Sequence, residues 1–234
     1  MKAAAAQWIG SRRTQEDAYR IRFLPEGLLV LVCDGMGGHH HGAAAAEVAA
    51  TSFAEIFVET SSLPVAERMA RALNSANHAV GKLVEESSRY GGTTLVAAYI
   101  GAGVVRWISV GDSALFLWRR GRLVRLNADH SMRPLLNGIV ESCADTCNML
   151  RSALTGEPPE LVDISATPVP LLPDDRLILC TDGAEGVLIP GQVSDSVRGV
   201  LSSRTGKEAS EIMELICRAG LPDADNATVL VVDV

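Results

Sequence analysis

The chain lacks a surplus of positive charge, a long apolar run and a cysteine framework, and each lack removes a class of function. Lys and Arg number 21 against 28 Asp and Glu, a net charge of −7. Nonspecific nucleic-acid binding and attachment to an anionic membrane both need clustered cations, so neither is expected. No apolar stretch approaches the roughly 20 residues that cross a bilayer. The opening MKAAAAQWIGSRR holds four alanines but not the apolar core of a signal peptide. Five cysteines, an odd number without framework spacing, suit a reducing compartment better than a disulfide scaffold. No linker interrupts the 234 residues, which suffice for one large domain with its own core. With 47% hydrophobic and 21% charged residues, the expectation is a soluble, cytoplasmic, single-domain protein spanning residues 1–234.

What is present centres on Leu28 to Gly42, LLVLVCDGMGGHHHG. The apolar run Leu28 to Cys33 reads as a buried strand that delivers Asp34 to its end. Gly35, Gly37 and Gly38 follow and allow close backbone approach to a ligand. A carboxylate at a strand end beside a glycine turn is how oxygen ligands are offered to a hard cation such as Mg2+ or Mn2+. Asp-Gly is also an ordinary turn dipeptide. The layout recurs, however, at Asp182-Gly183 behind RLILC, while Asp225-Asn226 precedes the apolar run Ala227 to Val232 and Glu16-Asp17 opens another strand-like segment. Four acidic sites at strand ends suggest one metal cluster assembled by folding.

The periodicity places strands at Ala3 to Ile9, Ala18 to Phe23 and Leu28 to Cys33. Helices follow over Ala43 to Phe57 and from Pro64 to about Leu83, each with an apolar stripe at steps of three and four. From Gly92 the period shortens to that of strands. Thr93 to Ile100, Val104 to Val110, Ala114 to Trp118 and Leu123 to Leu126 are expected to form one antiparallel meander. Periodicity is lost over Asn127 to Gly156, and about 131–156 reads as a flap-like segment. Strands resume at Leu161 to Thr167 and Arg176 to Thr181, helices at Val193 to Leu201 and Glu208 to Ala219, and Thr228 to Val234 closes as a strand. Thr205-Gly-Lys-Glu208 has capping-box spacing. Two groups of strands with helices between and after them imply a β-sandwich flanked by helices.

These residues resemble the metal-dependent Ser/Thr protein phosphatases of type 2C, in their compact bacterial form. Seven motifs occur in order: Arg12 to Asp17 as Arg-x-x-x-Glu-Asp, Asp34 to His39 as Asp-Gly-Met-Gly-Gly-His, Gly91 to Thr94, Val110 to Ser113, Asp129 to Ser131, Thr181 to Gly183 and Asp225 to Thr228. Any one alone is weak; the ordered set is specific. The resemblance implies an α+β fold, a four-layer α-β-β-α sandwich in which two central antiparallel sheets are flanked by helix pairs. It further implies that Asp34 bridges two Mn2+ or Mg2+ ions, that the Gly35 carbonyl and Glu16 serve one of them, and that Asp182 and Asp225 serve the other. Arg12 aligns with the arginine that holds substrate phosphate, and Asp112 with a carboxylate that joins Asp182 at a third, weaker ion. Asp34, Asp182 and Arg12 are thus the expected catalytic set.

The expected reaction is hydrolysis of phosphoserine or phosphothreonine on a protein, by water bridging two divalent ions, in opposition to a bacterial Ser/Thr kinase. The ions neutralise an anionic ester and make a nucleophile available near neutral pH, carboxylates suit hard cations, and a planar Arg fork suits phosphate oxygens. No Cys or Ser nucleophile is needed; Cys33 lies within an apolar strand, where packing accounts for it. His39, His40 and His41 point in different directions at a helix start and cannot readily share one ion. His39, which matches the bacterial signature, is the candidate general acid if a metal-bound water does not fill that role. The chain departs from the family at Ala114, where Arg often follows Gly-Asp-Ser, and at Gly186, where Asp is frequent and Glu185 stands beside it. Cys143 and Cys147, four apart, lack a neighbourhood that would stabilise a thiolate, and a redox role is not assigned. The partners implied are a phosphoprotein substrate and a cognate kinase, with the protein a monomer, unattached to membrane or nucleic acid. Two alternatives stand beside the enzyme: a catalytically weak phosphatase-fold regulator that docks to one signalling partner, and a phosphatase with a single regulatory substrate, such as an anti-sigma-factor antagonist.

Overall fold

A computed structural model of the chain describes residues 1–37, 40–87, 91–136, 149–220 and 223–234. His39, Cys143 and Cys147 lie outside the described residues. Strands β1 (Lys2–Trp8), β2 (Asp17–Leu24) and β3 (Gly27–Met36) lead into helices α1 (His40–Glu59) and α2 (Val65–Ser87). Then come β4 (Gly92–Thr93), β5 (Leu95–Gly101), β6 (Val104–Val110), β7 (Ala114–Arg119), β8 (Arg122–Arg125) and the short α3 (Arg133–Leu136). The chain finishes with β9 (Asp163–Ile164), β10 (Val169–Pro170), β11 (Arg176–Cys180), α4 (Asp182–Glu185), α5 (Asp195–Ser202), α6 (Glu208–Ala219) and β12 (Ala227–Asp233).

The strands form two antiparallel sheets. One runs β1-β12-β11-β7-β8 and the other β10-β6-β5-β3-β2, with β4 on β3 and β9 on β6. Helices α1 and α2 cover the second sheet, α5 and α6 the first, which gives the four-layer α-β-β-α sandwich. The expected meander is therefore two hairpins, one in each sheet. β6 pairs with β5, and β7 with β8 and β11, so the chain changes sheets between Val110 and Ala114. Gly111 makes that change at φ +100°, a backbone conformation only glycine adopts without strain. Alternation of apolar residues sets the period of a strand but not the sheet it joins. The strand expected over Leu161 to Thr167 is also shorter, pairing only through Asp163 and Ile164 against β6.

Side-chain alternation explains how three cores fit in four layers. On β3, Leu29, Leu31 and Cys33 pack under α1 and α2, while Leu28, Val30 and Val32 enter the space between the sheets. Ile178 and Cys180 of β11 likewise face α5 and α6, while Leu177 and Leu179 meet Val30 and Val32 inside. A strand buried on both faces is apolar throughout, hence the unbroken run that precedes Asp34.

The capping-box spacing is used in part. Glu208 accepts the Thr205 and Gly206 N–H groups at 2.8 and 3.2 Å, while the Thr205 hydroxyl accepts from Lys207 rather than from Glu208. On the opposite helix layer, Asn77 of α2 fastens the segment that returns toward β9. Its Oδ1 accepts from Thr155 and Gly156 N–H at 3.1 and 3.0 Å, and its Nδ2 donates to the Glu157 carbonyl at 2.9 Å. Replacing Asn77 by Ala strands three backbone groups near the interior, a cost of about 2 kcal/mol. Chemical denaturation of Asn77→Ala is expected to show that loss; a midpoint equal to wild type would remove the anchor.

Candidate active site

The space between the sheets is apolar until one end, where inward-facing positions turn polar. Counting by two along the inner face, Val32 gives way to Asp34, Val96 to Thr94, Leu115 to Ser113, Leu179 to Thr181 and Leu230 to Thr228. Asp17 joins them from β2, directly opposite Asp34 in the β2–β3 ladder. Thr94, Ser113, Thr181 and Thr228 are all buried, and Asp17 is only 8% exposed.

This polar layer ties the sheets together. Asp17 Oδ2 accepts the Thr181 and Thr228 hydroxyls at 2.9 and 2.6 Å, which links β2 of one sheet to β11 and β12 of the other. Thr228 N–H in turn donates to the Thr181 hydroxyl at 2.9 Å. Across the interior, the Thr94 and Ser113 hydroxyls meet at 2.6 Å, and Thr94 also accepts from Asp34 N–H at 3.0 Å. Thr93 and Thr94 hold the Asp34 carbonyl through a hydroxyl and an N–H, both at 2.9 Å. The backbone of Asp34 is thereby fixed before its carboxylate meets anything.

All seven residues nominated from sequence, Arg12, Glu16, Asp34, Gly35, Asp112, Asp182 and Asp225, line one open cleft of about 900 Å3 at this end of the sandwich. Glu16 and Asp225 are aligned through Asn226. Its Oδ1 accepts from Glu16 N–H at 2.8 Å, its own N–H donates to Asp225 Oδ1 at 2.7 Å, and its Nδ2 donates to the Ile9 carbonyl at 2.8 Å. The Glu16 carboxylate lies against Gly42 in the first turn of α1, so that a Cβ there would stand 2.1 Å from Oε2. Gly35 and Gly42 press backbone to backbone at the same point, which explains glycine at both. Arg12 extends over the cleft and pairs with Asp225 at 2.7 Å. Its position is exposed.

The electrostatics are those of crowded negative charge. Burial pushes the Asp34 carboxyl well above the ordinary carboxylate range, with Asp17, Asp182, Asp112 and Asp225 adding to the effect. Asp17 and Asp112 are each pushed up to about 7, in both cases chiefly by burial and then by neighbouring carboxylates, Asp182 foremost; hydroxyl hydrogen bonds hold the Asp17 rise in check. Asp182 is raised by burial and by Asp225, partly offset by a hydrogen bond from Asp34. The Oδ1 atoms of Asp17 and Asp182 are buried without a hydrogen-bond partner among the described residues. An all-oxygen donor set, unpartnered carboxylate oxygens and mutual repulsion fit divalent cations of the Mg2+ and Mn2+ kind. Among the described residues no three His, Cys, Asp or Glu side chains already stand together as a closed site; Asp225 turns instead to Arg12.

Three contributors stand inside motifs quoted from the sequence but had no role assigned there. Asp17 was visible only as the second half of Glu16-Asp17, yet it is the carboxylate that joins the sheets. Asn226 follows a nominated aspartate and aligns both it and Glu16. His130 is the third: its ring Nδ1 accepts the Gly111 N–H at 3.2 Å while its backbone N–H donates to the Gly111 carbonyl at 3.2 Å, which fixes the sheet-changing turn that carries Asp112. An accepting Nδ1 puts the proton of the neutral ring on Nε2, and burial lowers the ring's pKa. Beside Asp112, where Ala114 removes the family's arginine, a guanidinium arrives from β8. Arg125 donates to the Asp112 carbonyl at 2.6 Å and pairs with Glu185, which also binds Arg133 at 2.7 Å.

Residues 7–215 match the family model of protein phosphatase 2C. The chain is 32% identical over 218 residues to the serine/threonine phosphatase stp of Listeria welshimeri, covering 88% of this chain and 84% of that protein. The crystal structure of the Mycobacterium tuberculosis serine/threonine phosphatase PstP/Ppp superposes with a TM-score of 0.80 at 25% identity, over 100% of this chain and 98% of that one. The PstP catalytic domain solved with two manganese ions gives a TM-score of 0.80 at 26% identity, over 99% and 97% of the two chains. With that match over most of its length, on a sandwich of the same build, the chain belongs to the protein phosphatase 2C family.

Proposed function

We propose that this chain hydrolyses phosphoserine and phosphothreonine in proteins with two Mn2+ or Mg2+ ions held at the floor of the cleft. The observation that carries the reading is the convergence of five separated segments, around Glu16, Asp34, Asp112, Asp182 and Asp225, on a single cleft. In this assignment Asp34 would serve both ions, Glu16 and the Gly35 carbonyl one, and Asp182 and Asp225 the other, while Asp112 with Asp182 would hold a third, weaker ion. When bound, such ions neutralise phosphate charge and supply a nucleophilic water near neutral pH. The PstP domain with its two manganese ions supports the stoichiometry by similarity.

The chain's own residues bind and orient. The fork of Arg12 takes two phosphate oxygens of the substrate. Its pair with Asp225 is solvated on both sides, 57% and 42% exposed, and such a pair is weak enough to yield to a dianion. Thr93 and Thr94 keep Asp34 aimed by holding its backbone, and the Asp17–Thr181–Thr228 cluster keeps the two sheets, and with them Asp34 and Asp182, in register. Turnover of a kinase's products in the cytoplasm, by a monomeric single-domain enzyme, completes the proposal. No described helix is long and apolar enough to cross a membrane.

Hydrolysis of a phosphothreonine peptide and of p-nitrophenyl phosphate is expected with Mn2+ and lost in EDTA; silence with every ion, in folded protein, would favour a docking module. Asp34→Asn and Asp182→Asn are each expected to lower kcat/KM on the order of 10^3-fold while the protein stays folded. Wild-type turnover in either would sink the two-ion assignment. Arg12→Ala should act mainly on KM, raising it roughly tenfold; unchanged KM and kcat would take Arg12 out of the site.

Metal-free protein should also respond to pH in a defined direction. Carboxyls with raised folded pKa, Asp17 and Asp112 at about 7 against 3.8, keep protons in the folded state that the unfolded chain has released. Their contribution is greatest at acid pH and is lost as pH rises through this window. In EDTA, Tm should fall from pH 5 to pH 8, and saturating Mn2+ should recover it most at pH 8. A Tm in EDTA that rose over that interval would contradict the buried-carboxylate account.

A further inference from the structure

We propose that Arg13 and Arg151 make the cleft selective for phosphorylated segments that carry a second anionic side chain, carboxylate or phosphoryl, beside the scissile phosphate. The inference rests on the phosphatase reading above and names the class of substrate within it.

Both residues line the cleft that holds the carboxylates. Arg13 comes from the loop between β1 and β2, which is fixed on either side by Ser11 N–H on the Ala224 carbonyl at 2.8 Å and by Glu16 N–H on Asn226. Arg151 comes from the segment returning toward β9, where its N–H donates to the His130 carbonyl at 2.8 Å and neighbouring Leu150 bridges to Ser131. Two guanidiniums are thus held at one cleft by independently anchored backbones.

The other arginines of this region are committed. Arg12 pairs with Asp225, and Arg125 and Arg133 pair with Glu185. Among the described residues, by contrast, neither the Arg13 nor the Arg151 side chain has a hydrogen-bond or ion-pair partner. Glu160 is the one wall carboxylate among the described lining residues; the other five acids, Glu16, Asp34, Asp112, Asp182 and Asp225, belong to the floor. Two divalent ions, if bound as proposed, would offset most but not all of the charge of those five carboxylates. An additional anion on the substrate therefore gains nothing from the floor, and its attraction must come from the rim. A guanidinium presents a planar pair of N–H donors that matches both carboxylate and phosphate oxygens, and as a weakly hydrated cation it gives up water readily. In a protein of net charge −7, uncommitted arginines lining an acidic cleft also concentrate anionic segments locally.

The test uses the full chain with saturating Mn2+ and three phosphothreonine peptides of equal length, flanked by Ala, by Asp, or by a second phosphothreonine. At low salt kcat/KM is expected to be roughly three- to tenfold higher for an anionic flank than for Ala. The advantage should shrink toward unity as ionic strength is raised, a readout in wild-type protein that needs no variant. In Arg13→Glu/Arg151→Glu the order should invert. A gain with both anionic peptides assigns the rim to anions in general, and a gain with the doubly phosphorylated one alone assigns it to phosphoryl groups. Equal kcat/KM for all three peptides at low salt, or a preference that survives charge reversal, would overturn the proposal. Absence of hydrolysis on every peptide is a separate result, which would overturn the phosphatase reading and this inference together.

Discussion

The structure depends on carboxylates buried at the open end of an apolar interior. Asp17 and Asp34 face each other across the β2–β3 ladder, and Asp182 approaches them from the opposite sheet. Burying one unpaired carboxylate costs several kcal/mol and a cluster costs more, because each raises the pKa of the next. The chain answers this in two ways. Hydroxyls of Thr181 and Thr228 satisfy one oxygen of Asp17, and a hydrogen bond from Asp34 eases Asp182, while Oδ1 of each stands without a hydrogen-bond partner among the described residues. The polar layer that closes the sandwich is therefore the same layer that makes it a site. The interior could be sealed at this end by apolar residues, but only by giving up the chemistry.

How much of this was legible in the sequence follows from the range of each signal. The run Leu28 to Cys33 is apolar because β3 is buried on both faces, and that local fact located Asp34. The helices over α1, α2 and α6 were legible because their apolar stripes are local too. Pairing partners are not local. Val104 to Val110 and Ala114 to Arg119 look like successive strands of a meander, and nothing in their alternation says that they belong to different sheets. The relevant mark is Gly111, whose positive φ lets the chain cross over, and an isolated Gly-Asp reads equally well as a hairpin turn. The site residues could be named through a family resemblance, one motif at a time. Asp17, Asn226 and His130 act by holding other groups across the fold, with sequence separations of 211 between Asp17 and Thr228 and 210 between Asn226 and Glu16. No pattern confined to neighbouring residues can announce such a role.

The departures from the family pattern have a common physical form. With Ala at 114, no arginine follows Gly-Asp-Ser, and with Gly at 186 the usual carboxylate is displaced by one position to Glu185. In the folded chain Glu185 is held by Arg125 and Arg133, and Arg125 also reaches the Asp112 carbonyl. The two arginines from β8 and α3 thus neutralise Glu185, while the Asp112 carboxyl stays raised among its carboxylate neighbours.

That redistribution also decides what remains free. Arginine is costly to leave beside a carboxylate without pairing to it, and in this region Arg12, Arg125 and Arg133 are all so paired. Arg13 and Arg151 stand on the wall of the same cleft without such a pair among the described residues. The cleft is accordingly layered by charge. In the proposed reading the carboxylates would hold small, hard cations, Arg12 would be the fork for a phosphate, and the guanidiniums of Arg13 and Arg151 would meet whatever surrounds that phosphate. Phosphate chemistry alone accounts for the lower two layers. It gives no reason for the third, which can act only on parts of the substrate that do not react. On that proposal recognition is separable from chemistry, because the groups that would meet the flanking sequence are not the groups that would meet the ester.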